Sequence, residues 1–266
     1  YLRWFQMATF TVFYRTHSAI SVGHRAPWTY GEPYLSILRR FLQLRDQLMP
    51  YLYTLAWETS ERGYPPVRPL FWLDPKDETL WNREDAFYLG DMLLVCPVMD
   101  PGMRSRPCAL PSGVWYSFWD DTQWTGGQTV ELPAPLEQIP LLVRGGSILP
   151  LAEGDDLTLH LYPQSLGSEG AAESQYHLYS DAGEGYGDSR LDHWHLSQQG
   201  QTLTITWRSQ GDYPFPYERV NLHLHGPALE RAWVDGQAVA VANQVLPDAT
   251  REGTTFEQVR LQIGPS

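Results

Sequence analysis

The chain has 266 residues, 42% of them hydrophobic, which is enough to bury more than one core. A formal net charge of -12 without a basic patch excludes nucleic acid as an expected partner, and no apolar run is long enough to span a bilayer, so no membrane association is expected. The opening Tyr1-Leu2-Arg3-Trp4-Phe5-Gln6 has no initiator Met, apolar core or cleavage site of a signal peptide, and reads as the middle of a gene.

The run Phe10-Thr11-Val12-Phe13-Tyr14-Arg15-Thr16-His17-Ser18 is apolar and aromatic, then polar. It predicts a short buried strand that delivers Arg15 and His17 at its C-terminal end, as a wall of an α/β barrel site does. From Pro33 to Arg62, apolar residues at Leu35, Leu38, Leu42, Leu48, Leu52 and Leu55 describe one helical face. Pro33 sits where a first helical turn tolerates proline. Pro50 must kink or split the helix. Gly63 suits the C′ position, and Pro65-Pro66 prevents resumption. Val67-Arg68-Pro69-Leu70-Phe71-Trp72-Leu73 predicts a second short strand, ending at Asp74-Pro75. Strand, helix, strand is a βαβ-type unit and predicts parallel pairing. Asp46 is expected to face solvent or a packing Arg, and nothing around Asp74 or Asp85 gives either a catalytic role.

From Ala86 the texture changes to short strands between Gly and Pro turns, the pattern of an antiparallel sandwich. Arg144 stands alone among apolar residues, so it is expected to pair with a carboxylate at a domain interface. Cys96 lies inside Leu93-Leu94-Val95-Cys96-Pro97-Val98 and is expected to be a buried free thiol. Two cysteines make no disulfide framework. The compartment stays open, with the cytoplasm favoured. Beyond Asp155, Leu157–Tyr162, Leu203–Trp207 and Val220–Leu224 alternate apolar and polar residues, which predicts strands with one face in a core. Val234-Asp235-Gly236-Gln237 carries a hairpin signal. Residues 164–174 read as an exposed loop. The divisions are therefore 1–85, 86–154 and 155–266.

Metal chemistry has weak signals. His193 with His195, and His223 with His225, each put two imidazoles on one strand face. Each pair could be half a metal site, but two histidines without a third ligand are a weak signal for zinc. Asp181, Glu184, Asp188 and Asp192 could offer oxygens to Ca²⁺, but not in an EF-hand pattern. No metal and no cofactor is assigned.

Several motifs together resemble glycoside hydrolase family 31, the α-glucosidase and α-xylosidase family. That family shows an aromatic strand ending in Arg-Asn-His, a Pro-Trp-x-x-Gly loop, and a helix with Arg-x-x-Leu-x-Pro-Tyr-Leu-Tyr. Here these are Arg15-Thr16-His17, Pro27-Trp28-Thr29-Tyr30-Gly31 and Arg45 through Tyr53, with Thr16 in place of Asn. Gly90-Asp91 before Leu93-Leu94-Val95, Trp115-Tyr116-Ser117-Phe118-Trp119 and Val143-Arg144 through Pro150 are similar to further patterns of the family. Leu178-Tyr179-Ser180-Asp181-Ala182-Gly183 resembles a turn of its distal β-domain.

The resemblance implies the terminal βαβ part of a (β/α)8 barrel in 1–85, then two antiparallel β-sandwich domains, proximal in 86–154 and distal in 155–266. It implies a retaining α-glycosidase that hydrolyses terminal α-linked sugars with two carboxylates. Both would lie before Tyr1, so no catalytic residue is assigned and the N-terminal remainder of the protein is the implied partner. An α-linked oligosaccharide is the implied substrate. His17 would bind sugar hydroxyls, either donating or accepting through its rigid ring. Arg15 would contact substrate or hold the catalytic carboxylates ionised. Trp28 would stack on sugar or pack its loop. The alternative is a non-catalytic carbohydrate-binding or scaffold chain, or a subunit that pairs with an N-terminal half.

Overall fold

The computed structural model describes residues 1–164, 172–242, 244–246, 249 and 256–264. The expected loop at 164–174 therefore lies largely outside the described residues.

Three α-helices come first. Nothing in the sequence patterning marked α1, Leu2–Ala8, which buries Leu2, Phe5 and Gln6 at helical spacing. Helices α2, Tyr34–Gln47, and α3, Met49–Arg62, replace the single long helix. The break falls at Leu48, because Pro50 cannot donate the bond that would continue α2 and instead occupies the first turn of α3. Gly63 caps α3 in the left-handed conformation (φ 70°), its N–H donating to the Thr59 carbonyl at 3.0 Å.

The leucine spacing marks the buried face in part: Leu38, Leu48 and Leu55 are buried and Leu35 and Leu52 are half-buried. Ile37, Leu38, Phe41 and Leu44 line α2, with Tyr51 and Leu55 on α3, while Leu42 is exposed. The aromatic rings of Phe41 and Tyr51 share the inner positions with these leucines.

Two expected strands do not form as ladders. Residues 10–18 are turn and extended chain, with Val12 and Phe13 exposed. Phe10 alone is buried, its ring edge-on to Phe41 at 6.5 Å. The second run gives only the strand Val67–Arg68, followed by a 3₁₀ turn Leu70–Trp72. That strand pairs antiparallel with Phe87–Leu89. A strand persists only through a neighbour, and among the described residues 10–18 has none.

Four sheets follow. The first runs in the order Val67–Arg68, Phe87–Leu89, Leu93–Val95, Leu141–Arg144, Val114–Ser117 and Gln123–Thr125. One face joins the main core through Leu93, Val95, Leu141 and Val143. The other packs Leu94 and Trp115 against a two-stranded ribbon, Ser105–Leu110 with Gln128–Pro133. Cys96 and Cys108 meet in that second core as a disulfide, Cα atoms 6.7 Å apart. This corrects the expected free thiol: ribbon and sheet bring the two cysteines together across a layer.

The third and fourth layers form a sandwich. A four-stranded sheet orders Val245–Leu246, Arg219–Leu224, Asp156–Leu161 and Ile148–Glu153. A six-stranded sheet orders Ala172–Asp181, Ser189–Gln199, Thr202–Gly211, Gln258–Ile263, Leu229–Val234 and Gln237–Val239. Leu159 and Leu222 from one meet Trp194 and Ile205 from the other in a common core. The predicted alternation is met along Asp156–Leu161, whose burial alternates residue by residue. One pair departs from antiparallel order: Asp156–Leu161 lies parallel to Arg219–Leu224. The Asp235-Gly236 hairpin forms with both residues at positive φ, 47° and 79°, joining Val234 to Gln237.

Polar anchors tie the helices to the sheets. Arg3 on α1 donates to the carbonyls of Ala134 and Gln138, each at 2.6 Å. Arg68 is buried, donating to Glu58 on α3 at 2.8 Å and to Asp91 beside the first sheet. Arg144 was expected to take a carboxylate, yet among the described residues none lies within ion-pair reach of it; Glu58 and Asp91 pair with Arg68 instead. Trp57 stacks on Tyr179 at 5.4 Å, joining α3 to the six-stranded sheet.

Candidate substrate-binding site

Residues 9–17 leave α1 and run across the N-terminus of the chain. Arg45, on the inner side of α2, fixes their path. Its guanidinium donates to the carbonyls of Thr9, at 2.7 Å, and Thr11. It also lies over the Tyr14 ring, 5.6 Å from the centroid. Tyr14 packs edge-on against Phe5 of α1 at 5.0 Å. Burial pushes the Tyr14 hydroxyl up to about 12, although Thr9 and Arg45 pull the other way. The phenol is therefore neutral and acts as a wedge. Thus two residues that sequence reasoning did not assign, Arg45 and Tyr14, hold the segment carrying Arg15 and His17.

Arg15 and His17 are brought together. Arg15 Nη2 lies 3.1 Å from His17 Nδ1. A guanidinium has only donors, so Nδ1 accepts, and a neutral ring then carries its proton on Nε2. The geometry leaves His17 Nε2–H as a donor. Both side chains are exposed and line a small cleft of about 70 Å³ with Tyr1, Trp4, Tyr14 and Arg25. Tyr1 closes one side: it stacks on Tyr30 at 4.3 Å and its hydroxyl donates to the Arg25 carbonyl at 2.7 Å.

Trp28 does not join this cleft. It sits in the 3₁₀ turn Pro27–Tyr30 with 73% of its surface exposed.

The cleft is lined by two arginines, a histidine and aromatic rings, and by no carboxylate. It can donate hydrogen bonds to hydroxyls and stack on apolar ring faces. It holds no side chain for carboxylate acid–base chemistry. Asp85 is engaged elsewhere, by Arg106 at 2.6 Å, and Asp46 is exposed as expected. The acidic loop considered for Ca²⁺ does not assemble either. Asp192 is fully buried, bonded by Arg190 and by Trp207 Nε1 at 2.8 Å. Asp181 instead accepts from Tyr53 at 2.6 Å and Tyr179 at 2.8 Å. Those donors, with Tyr53 first, hold its carboxyl below the ordinary range.

Comparison with known proteins bears on this arrangement. The model of the glycosyl hydrolases family 31 TIM-barrel domain matches residues 1–55, and that of the family 31 C-terminal domain matches 63–149. "Alpha-glucosidase 2" of Bacillus thermoamyloliquefaciens is 32% identical over 246 residues, 88% of this chain and 31% of its own length. "Alpha-xylosidase" of Saccharolobus solfataricus is 29% identical over 276 residues, 99% of this chain and 35% of its own length. The chain thus spans about a third of the length of these relatives. Among solved structures, the Flavobacterium johnsoniae GH31 dextranase complexed with glucose superposes with a TM-score of 0.87 at 24% identity, over 98% of this chain and 37% of that one. At that identity the likeness establishes the fold.

Proposed function

The chain belongs to glycoside hydrolase family 31, and on that premise we propose that it is the C-terminal part of a retaining α-glycosidase acting on terminal α-linked sugars. The observation that carries this reading is the pair of family matches in succession, barrel domain at 1–55 and C-terminal domain at 63–149.

In a retaining enzyme one carboxylate attacks the anomeric carbon and a second carboxyl protonates the leaving oxygen. Both come, in this reading, from barrel strands outside these 266 residues, because no carboxylate lines the cleft at His17. His17 donates from Nε2 to a hydroxyl of the sugar being cleaved. Arg15 fixes that tautomer and adds positive charge that keeps nearby carboxylates ionised. Trp28 lies outside the cleft and serves as a face for the neighbouring part of the protein or for a further sugar unit.

The surface supports a partner of the same chain. Among the described residues, exposed large apolar side chains concentrate in residues 1–34, including Trp4, Val12, Phe13, Ile20 and Trp28. A patch of that kind marks an interaction surface, and the occupant proposed is the N-terminal remainder of the barrel.

The test uses the full-length protein and the 266-residue chain side by side on aryl α-glucosides and α-xylosides, with the first-formed anomer followed by NMR. Turnover with retention by the full-length protein, and none by the chain alone, is the expected result. Inversion, or concentration-dependent turnover by the isolated chain that denaturation abolishes, would falsify the assignment.

A further inference from the structure

Away from that cleft, three histidines converge. His160 lies on Asp156–Leu161, directly opposite His223 on the parallel neighbour Arg219–Leu224. His225 follows one residue beyond that strand, its backbone N–H donating to the Leu161 carbonyl at 3.0 Å. One ring nitrogen from each of the three lies within 4.8 Å of the other two. The sequence offered His223 and His225 as half a site. The parallel register supplies the third imidazole, from 63 residues earlier in the chain.

We propose that His160, His223 and His225 form a binding site for a divalent transition-metal cation, Zn²⁺ by its donor set, with Asp121 orienting His225.

The second observation is the carboxylate behind the cluster. His225 Nδ1 lies 2.7 Å from Asp121 Oδ1. An ionised carboxylate only accepts, so Nδ1 carries the proton and Nε2 presents its lone pair. That Nε2 points at His160 Nδ1, 2.7 Å away. Carboxylate, histidine, metal is the arrangement by which zinc sites fix a ligand's tautomer and raise its basicity. With no ion bound, a proton of His160 occupies the line between the two nitrogens; a cation replaces that proton. Two nitrogens at zinc distances are separated by roughly 3.3 Å in a tetrahedral site. Occupancy therefore opens the pair by about half an ångström and fans apart rings whose centroids now lie 4.3 to 5.1 Å from one another.

Three imidazoles with no thiolate select zinc, copper or nickel over magnesium or calcium. His160 and His223 are partly exposed, so a fourth, water position stays open. Asp121 belongs to the turn between two strands of the first sheet, whereas the histidines belong to the four-stranded sheet. A bound ion therefore clamps one sheet to the other.

The experiment uses the tag-free full-length protein, stripped with chelator and dialysed. Co²⁺ is titrated as a spectroscopic probe, followed by displacement with Zn²⁺ and metal analysis. The expected result is one equivalent of Co²⁺ with tetrahedral visible bands, displaced by Zn²⁺, and a Zn²⁺-dependent rise in Tm. His160→Gln and His223→Gln should each abolish saturable binding, and Asp121→Asn should weaken it by about 10- to 100-fold. Tm in chelator verifies that each variant is folded. Wild-type protein that takes up no equivalent of Co²⁺ or Zn²⁺ overturns the proposal whatever the variants do. One-equivalent binding that survives both histidine substitutions overturns it as well.

Discussion

The hydroxyl of Tyr51 sits against the α-carbon of Gly90. It donates to the Leu89 carbonyl at 2.8 Å and accepts from the Met92 N–H at 3.3 Å. Gly90 adopts φ +58°, and a β-carbon there would overlap the Tyr51 oxygen and reach within 2.8 Å of Leu55 Cδ2. Helix α3 and the first sheet are thus joined at a point that has room for no side chain. Gly90→Ala should destabilise the protein by more than about 2 kcal/mol, since left-handed backbone alone costs about 1–2. Tyr51→Phe, which strands a buried carbonyl, should cost about 1–3 kcal/mol. Urea midpoints of the full-length protein check both; an unchanged midpoint for Gly90→Ala would show that the helix can shift freely.

Arg68 supplies a second link. It is the buried cation between Glu58 and Asp91, and Trp72 lies 5.3 Å from its guanidinium carbon. Arg68→Met removes the charge and leaves Glu58 and Asp91 without their shared counter-ion. A loss of about 1–3 kcal/mol is expected, since the half-exposed Asp91 is screened by water. Combining it with Glu58→Gln and Asp91→Asn should recover part of that loss, and a triple variant no better than Arg68→Met would contradict the charge argument.

His17→Ala in the full-length enzyme should lower kcat/KM by roughly five- to a hundred-fold, the consequence of one sugar hydroxyl left unpaired at about 1–3 kcal/mol. Part of the loss should fall in kcat, because such bonds strengthen as the oxocarbenium-like state forms. Tm measured on the same sample separates the roles: a depressed Tm with normal kinetics would make His17 a packing residue.

Stability should fall on acidification through His177. Its Nδ1 faces His193 Nδ1 at 2.7 Å on the next strand, with Arg62 of α3 nearby. Burial, then His193 and Arg62, lower its pKa in the folded state from 6.5. The unfolded chain therefore binds the proton first. The contribution is present above about pH 6.5 and is lost progressively below it. Between about pH 7.5 and 5.5, Tm should drop less in His177→Gln than in wild type. Parallel curves would show that the pair does not contribute.

Local features were legible in the amino-acid sequence itself. Pro50 ended one helix and placed the next, Gly63 capped it, and Asp235-Gly236 made its hairpin. Each follows from backbone restrictions of the residue itself, and these need no partner. The family motif likewise singled out Arg15 and His17, which the structure places 3.1 Å apart.

What the tertiary structure decided was partnership. Phe10–Ser18 has the composition of a strand, yet a ladder needs a neighbour, and the described residues give it none. The counter-charges gather on Arg68 rather than Arg144 because α3 packs beside Val67–Arg68. Cys96 and Cys108 are twelve residues apart in sequence and meet only when the ribbon folds over the first sheet. His160 reaches His223 through a parallel register that no spacing rule encodes, and Asp121 reaches His225 from another sheet. Sequence patterns record what a residue does to its own backbone. Contacts between distant segments depend on which surfaces the whole chain buries together.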